Sequence, residues 1–165
     1  MKRILVSLVL VLAVAAFAFA DHPNKLGLGI VGGSGYGYGN IGSDVGFAFK
    51  LSSLPVYWQL NLHLNSGYLG LGATGDVYLK DQNLLEEGSF ALDWFLGLGG
   101  YASIGLGNDL TAAVGARVPV GLSWHITDEF ELWLDIVPSL GIGVVPFYFP
   151  DWNVGGEVGF RVWLK

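Results

Sequence analysis

Charged side chains on alternate positions of the chain are the residues most able to do chemistry. Acidic and basic groups that meet in a confined interior can form structural ion pairs, line a polar pore, or act as a catalytic acid–base pair. A structural plug of ion pairs is the favoured interpretation, because buried charges must be paired or hydrated, and the other two stay open. The candidate network consists of Lys50, Asp76, Asp93, Arg117, Glu131, Asp135, Glu157 and Arg161.

Hairpin folding predicts partners within this network. Folding the last hairpin about its loop places Arg161 opposite Asp135. A guanidinium can donate two parallel hydrogen bonds to such a carboxylate. Similar folding places Asp76 opposite Asp93, a like-charged pair that needs a cation nearby.

A glycine motif near the start of the chain matches a dinucleotide-binding fingerprint only weakly. The spacing is Gly27-x-Gly29-x-x-Gly32, but the pattern around it predicts no preceding strand and no following helix. The chain holds 26 glycines, so a chance match is unsurprising. We therefore expect no nucleotide cofactor.

The histidines do not predict a metal site or a catalytic site. His22, His63 and His125 are too dispersed along the chain to share a metal ion. Ser66 lies near His63, yet acyl transfer also needs an orienting acid and an oxyanion donor. We expect that the protein is not an enzyme and that it holds neither a cofactor nor a metal.

The elements that position these residues show a hydrophobic period of two, which is typical of strands. In the segment 56–65, Val56, Trp58 and Leu60 share one face, and Tyr57 and Gln59 lie on the other. Eight segments follow this pattern, and several exceed the usual strand length of about 5–6 residues. The segments are 26–31, 45–51, 56–65, 68–79, 90–104, 110–124, 131–144 and 153–164.

Turn-forming residues separate these segments. We expect loops at 33–44, 65–67, 105–109 and 145–152 on one side, and connectors at 52–55, 80–89 and 126–129 on the other. Pro119 and Pro138 fall inside predicted strands, where a missing N–H predicts a bulge or an irregular ladder.

The sequence predicts a signal peptide followed by a single domain. Lys2 and Arg3, an apolar run and the small-x-small motif Ala18-Phe19-Ala20 predict a cleavable signal peptide at residues 1–20. Residues 21–165 then form a single domain, whose net charge of −8 disfavours binding to nucleic acid. Charged residues make up 13% of the chain, against about 25% in soluble domains.

An apolar chain with long alternating strands predicts an all-β fold in the outer membrane. A closed barrel satisfies its backbone polar groups within lipid, and membrane strands need about 9–11 residues. The sequence therefore predicts an eight-stranded, antiparallel, up-and-down transmembrane β-barrel with a filled polar lumen and both termini in the periplasm. Inward glycines leave room there for large side chains such as Tyr57, Tyr78, Phe95 and Trp133.

Aromatic residues fall into two predicted groups. One points outward near the periplasmic ends and forms an aromatic girdle at the lipid headgroups. The other lies in the predicted external loops, as an outer-leaflet girdle or as a partner-binding patch. The girdle comprises Trp58, Trp94, Trp124 and Phe130, and the loop group comprises Tyr36, Tyr38, Phe147, Tyr148, Phe149 and Trp152.

Four stretches of the chain carry a family likeness. They are 54–58, 69–76, 115–122 (GARVPVGL) and 138–141. In that order they resemble a poorly characterised family of small spirochaete outer-membrane barrels, likened to the transmembrane domain of OmpA. The resemblance implies a surface-exposed barrel of unsettled function, for which binding of host or environmental ligands is a candidate role.

The sequence thus predicts a small, monomeric outer-membrane barrel in contact with membrane lipid. Its role is structural, or it binds an extracellular or host ligand through its loops. A low-conductance pore for small solutes is the alternative, and a lipid-modifying enzyme is the third hypothesis. The chain ends Trp163-Leu164-Lys165, with the last aromatic residue two positions early for a common barrel-insertion signal.

Overall fold

The computed structural model describes residues 24–37, 40–65, 68–88, 90–107 and 109–164. The predicted signal peptide at residues 1–20 lies outside this part of the chain, as do Tyr38 and Ser66. In the part described, no helix has the length and apolar character needed to cross a membrane.

The described residues form nine strands, several of which are as long as the period-two pattern predicts. The strands are β1 (Leu26–Gly37), β2 (Asn40–Lys50), β3 (Tyr57–Asn65), β4 (Tyr68–Glu87), β5 (Phe90–Leu106), β6 (Leu110–Arg117), β7 (Val120–His125), β8 (Phe130–Val145) and β9 (Phe147–Leu164).

All nine strands belong to one antiparallel sheet that closes into a ring. Strands that follow one another in the chain are paired, except that β6 and β7 each pair with β5 and β8 and not with each other. The ring closes where β1 pairs with β9, from Leu26↔Leu164 to Tyr36↔Val154. Because β6 and β7 both lie between β5 and β8, they occupy one position of the ring, which has eight positions. The prediction of an all-β antiparallel fold is confirmed, with nine strands rather than eight.

Proline causes the extra strand break. Pro119 has no N–H to donate, and the ladder is interrupted at Val118 and Pro119. Backbone hydrogen bonds still join this break to the strands on both sides. Gly97 N–H of β5 donates to Pro119 O at 2.8 Å, and Val118 N–H donates to Pro138 O of β8 at 3.0 Å. Pro138 stays inside β8, and its pairing with Val154 of β9 is continuous.

Three predicted loops are mostly strand. The ladders continue to Gly37↔Asn40, Glu87↔Phe90 and Val144↔Phe147, so the segments 33–44, 80–89 and 145–152 are largely paired. Pairing satisfies backbone groups regardless of side-chain polarity, and this explains why glycine-rich or charged segments form strands here. Two register shifts, at Tyr78/Lys80 and Asn83/Leu85, accommodate the added length of β4.

The two faces of the sheet have opposite chemistry. Large apolar side chains point outward, including Ile30, Leu134 and Ile136, which are 65%, 59% and 62% exposed. The inward face holds charged and aromatic side chains, and its apolar core is made largely of rings. That core comprises Val31, Ala48, Tyr57, Tyr78, Phe95, Trp133 and Trp163.

Glycine makes room for these rings. Gly159 lies opposite Trp133 in the β8–β9 register, and a Cβ atom at position 159 would overlap the indole ring. A Cβ atom at Gly156 on the same strand would meet only the Asp135 carbonyl oxygen, at an ordinary 3.7 Å. The interior therefore depends on the absence of a side chain at position 159.

We predict that Gly159→Ala destabilises the protein by about 1–3 kcal/mol, because an overfilled core forces its neighbours off their preferred positions. Gly156→Ala is the matched control and should change the free energy of unfolding little. Urea unfolding in detergent or lipid, followed by tryptophan fluorescence, measures both variants. Equal stabilities would contradict the packing described here.

Candidate functional site in the interior of the ring

Arg161 of β9 lies in a cage of aromatic rings. Its guanidinium carbon is 4.4 Å from the ring centroid of Trp133, 4.7 Å from that of Tyr57 and 5.3 Å from that of Trp163. A cation over an aromatic face is attracted by the ring quadrupole, more strongly when water is excluded. Since Arg161 is only 2% exposed, the cage replaces much of its lost hydration.

Glu131 completes this cage. Its Oε2 accepts hydrogen bonds from Arg161 Nη1 at 2.9 Å and from Trp163 Nε1 at 2.8 Å. Lys50 lies beside the same rings, with its Nζ 6.0 Å from the centroids of Tyr57 and Trp163. The carboxylate offsets the buried guanidinium, as a buried charge requires.

Three stacked rings extend the cage across the interior. The Tyr57 and Tyr78 rings lie 4.2 Å apart, and the Tyr78 and Phe95 rings lie 4.4 Å apart, with interplanar angles of 12° and 6°. All three side chains are at most 5% exposed. We use the term aromatic plug for Tyr57, Tyr78, Phe95, Trp133 and Trp163 together with Arg161.

A second ion-pair network surrounds Arg117. Its Nη2 donates to both carboxylate oxygens of Glu157, at 2.9 and 3.0 Å. Its Nε lies 3.2 Å from Asp76 Oδ1. Gln59 Nε2 donates to Glu157 Oε2 at 2.9 Å, and Asp135 pairs with Glu157 in the β8–β9 register. Three carboxylates thus lie around one guanidinium.

The structure corrects the predicted partner of Arg161. In the β8–β9 register Arg161 lies opposite Glu131, and Asp135 lies opposite Glu157. The hairpin turns at Pro146, near the start of the predicted loop at 145–152. The earlier turn changes the partner of every inward residue on these two strands.

Asp93 does not join Asp76. Asp76 lies opposite Gly99, because the β4–β5 ladder continues to Glu87 and Phe90. Asp93 instead accepts a hydrogen bond of 2.9 Å from Asn83 Nδ2 and lies 3.5 Å from His125 Nε2. The predicted network is therefore divided into an Arg161 group, an Arg117 group and a separate Asp93 group.

A polar cavity of about 150 Å³ lies beyond the Arg117 network, towards the end of the ring where β1 meets β2. Within it, His63 Nδ1 contacts Asp44 Oδ1 at 2.5 Å, and the Tyr101 hydroxyl donates to Asp151 Oδ2 at 2.8 Å. We call this cavity the polar cup, and its walls include Asp44, His63, Tyr101, Asp151, Asn153 and Glu157.

A second cavity of about 230 Å³ lies at the opposite end of the ring. Its walls include Lys25, Glu86, His125 and Trp163. Because Trp163 also belongs to the aromatic plug, the plug lies between this cavity and the polar cup.

Outward aromatic residues gather at the end of the ring that holds both ends of the sheet, Leu26 and Leu164. Trp58 stacks on Phe49 with ring centroids 6.5 Å apart, and Trp124 meets Phe90 edge-on at 5.7 Å. Near them, Trp94 Nε1 donates to Gln82 Oε1 at 3.2 Å, and Phe130 stacks on Phe160 at 5.7 Å. The four predicted girdle residues thus share this end, together with three phenylalanines.

The predicted loop aromatics that lie in the described part of the chain belong to strands. Tyr36 of β1 meets Trp152 of β9 edge-on, with ring centroids 6.0 Å apart. Phe147 and Phe149, also in β9, are 78% and 65% exposed. A Cβ atom at Gly143 would overlap Tyr148, whose ring lies over that glycine.

The glycine motif and the histidines also have defined positions in the structure. The segment 27–32 is inside β1, and the chain continues into β2. The described residues contain no group of three or more His, Cys, Asp or Glu side chains that could hold a metal ion. His63 contacts Asp44 and lines the polar cup.

Sequence reasoning missed several residues of the site. Gln59, Trp163 and His125 each contact a predicted charge. Their inward positions follow from the period-two pattern. Their contacts depend on which strands lie next to or across from one another, and the sequence pattern of a single strand does not show this.

We predict that Arg117→Ala lowers the free energy of unfolding by about 3 kcal/mol or more, because it leaves the buried Asp76 and the partly buried Glu157 without their cation. Lys80→Ala, at an exposed position of β4, is the control and should have little effect. The unfolding midpoint in detergent measures both. An unchanged midpoint for Arg117→Ala would contradict the network.

Comparisons with known proteins give low similarity. No family model and no curated protein matches the chain. Neisserial surface protein A (NspA) has 8% identity and a TM-score of 0.47, with 85% of this chain and 96% of that chain covered. A de novo designed transmembrane β-barrel has 15% identity and a TM-score of 0.47, covering 87% of this chain and 98% of the design. The N-terminal β-barrel domain of Pseudomonas aeruginosa OprF has 13% identity and a TM-score of 0.45, covering 82% and 96%.

Proposed function

We propose that this chain is an integral outer-membrane β-barrel of eight strand positions, with a plugged lumen and a structural or surface-interaction role. Its termini face the periplasm, and the opposite ends of its strands face outside. The resemblance to small spirochaete barrels stays a prediction, as does the absence of enzyme activity.

One observation carries the membrane proposal, namely the inverted burial of the sheet. Outward Ile30, Leu134 and Ile136 are more than half exposed, whereas inward Arg161 and Lys50 are 2% exposed. Apolar surface left in water costs about 25 cal/mol per Å², and hydrocarbon removes that cost. The closed ring meets the other requirement of lipid, since its ladders pair backbone groups without a free sheet edge.

The spacing of the outward aromatics supports the same placement. Phe130 lies at one end of β8, and Leu140, ten residues on, pairs with Trp152 near Tyr36. Ten residues of strand span about 33 Å, and a tilt of about 40° reduces this to a height of about 25 Å. That height equals the apolar band of outer-membrane barrels, which is about 25 Å.

The aromatic plug supports a closed lumen. Barrels of about eight strands have interiors that side chains can fill, whereas channels need about 16 strands. The polar cup and the opposite cavity lie on either side of the plug. A low-conductance pore for small solutes would require movement of side chains that are at most 5% exposed.

A surface role is supported by Phe147 and Phe149. They lie beyond the Tyr36–Trp152 pair, towards the tip of the β8–β9 hairpin, and are 78% and 65% exposed. Aromatic side chains are enriched in the residues that dominate binding interfaces. This hairpin tip is the surface we propose for contact with an extracellular or host ligand.

The membrane proposal predicts that a charge on the outward face lowers the free energy of unfolding by an amount that depends on its depth in the bilayer. Leu134→Arg should destabilise the folded protein in phospholipid vesicles by about 2–4 kcal/mol. Leu84→Arg is the matched control, because Leu84 is similarly exposed, at 56% against 59%, but lies past the Trp94 level of the girdle. Its cost should be about 0–1 kcal/mol. Urea titration of folding in vesicles measures both, and equal costs would contradict the placement.

The aromatic plug predicts that the wild-type protein does not conduct ions and that removal of plug residues opens a pore. The wild-type protein should show no discrete openings in planar bilayers, whereas Tyr78→Ala combined with Trp133→Ala should produce them, because two buried rings are removed. Trp58→Ala combined with Trp94→Ala removes two outward rings and should stay silent. Wild-type openings that disappear in Gly115→Phe would contradict the plug and favour the pore.

A further inference from the structure

The polar cup holds more acidic than basic groups. Asp44, Asp151 and Glu157 line it, together with Arg117 and His63. Arg117 is committed to Asp76 and Glu157, and His63 contacts Asp44. Asp151 accepts a hydrogen bond from the neutral Tyr101 hydroxyl, so its charge is not met by a cation among the described residues.

No other described cation lies near the cup. The remaining basic side chains of the described segments lie in the half of the ring that holds the girdle. These are Lys25, Lys50, Lys80, His125 and Arg161. A positive ligand would therefore enter a field of negative sign, which raises its local concentration.

Two residues that line the cup carry buried oxygens without hydrogen-bond partners. The Thr74 hydroxyl and Asn61 Oδ1 have no hydrogen-bond partner in the described part of the chain, and the two side chains are only 7% and 6% exposed. Both residues line the cup. A buried polar group without a partner costs about 1–3 kcal/mol, so these oxygens favour a ligand that brings N–H or O–H donors.

We infer that the polar cup binds a small organic cation with a primary ammonium group. The ammonium supplies three donors and a positive charge, which suit Asp151 and the unpartnered oxygens. The cup volume of about 150 Å³ equals about five water molecules at ~30 Å³ each, which limits the ligand to a few heavy atoms. The cup lies inside the ring, towards the end where β1 meets β2, so a free amine fits better than the headgroup of a lipid held in the bilayer.

The test uses n-butylammonium and n-butanol as probes, with the full chain in detergent micelles and isothermal titration calorimetry. n-Butylammonium should bind with a Kd of about 10 µM to 1 mM, and n-butanol should bind at least about 10-fold more weakly because it lacks the charge. Equal affinities, or no n-butylammonium binding up to ~10 mM, would overturn the inference and leave ordered water as the occupant.

Variants locate the site. Asp151→Asn and Thr74→Val should each weaken n-butylammonium binding, Asp151→Asn by about 10-fold or more. Asp109→Asn is the matched control, because Asp109 is an exposed carboxylate near the same end of the ring. Equal effects of Asp109→Asn and Asp151→Asn would overturn the assignment. NMR shifts of the Thr74 and Tyr101 signals provide a readout that does not depend on stability.

Two further measurements separate the outcomes. Competition by phosphatidylethanolamine added to the micelles would assign the site to a lipid headgroup and overturn binding of a free amine. The conductance and vesicle experiments test the plugged membrane barrel independently, so loss of amine binding and failure of the proposed function are distinguishable.

Discussion

Closure of the sheet between β1 and β9 is the constraint on which the rest of the structure depends. The pairs from Leu26↔Leu164 to Tyr36↔Val154 join the first and last strands, so these strands leave no free edge along their shared length. An open sheet would expose unpaired N–H and C=O groups. It would also remove the enclosed interior in which Arg117 and Arg161 find their partners. Contacts between β3 and β9 across the interior, such as those of Tyr57 with Arg161 and of Gln59 with Glu157, therefore depend on this ladder.

Enclosure sets the chemistry of the interior. Charges taken out of water are stable only when they are paired and hydrogen-bonded, and the two arginines meet this condition in different ways. Arg161 uses aromatic faces and Glu131, whereas Arg117 uses Asp76 and Glu157. Glycines such as Gly159 leave space for the rings, because an eight-position ring is narrow.

The interior is thus divided along its axis. Rings and one arginine fill the half nearer the girdle, and a polar cavity occupies part of the other half. This asymmetry distinguishes the two ends of the interior. The filled half is packed with rings and paired charges, while the open half holds the buried oxygens of Thr74 and Asn61, which lack hydrogen-bond partners among the described residues.

The sequence alone determined which residues face inward and which face outward, because side chains alternate strictly along a strand. That alternation was enough to place Arg117, Arg161 and Trp58 on their correct faces. Only the tertiary structure decided which inward side chains contact one another. The partner of Arg161 is Glu131 and not Asp135, since the hairpin turns at Pro146 and turn position sets register. Likewise the cage around Arg161 and the pairing of Tyr101 with Asp151 join strands far apart in the chain. Such contacts depend on ring closure, which no local pattern encodes.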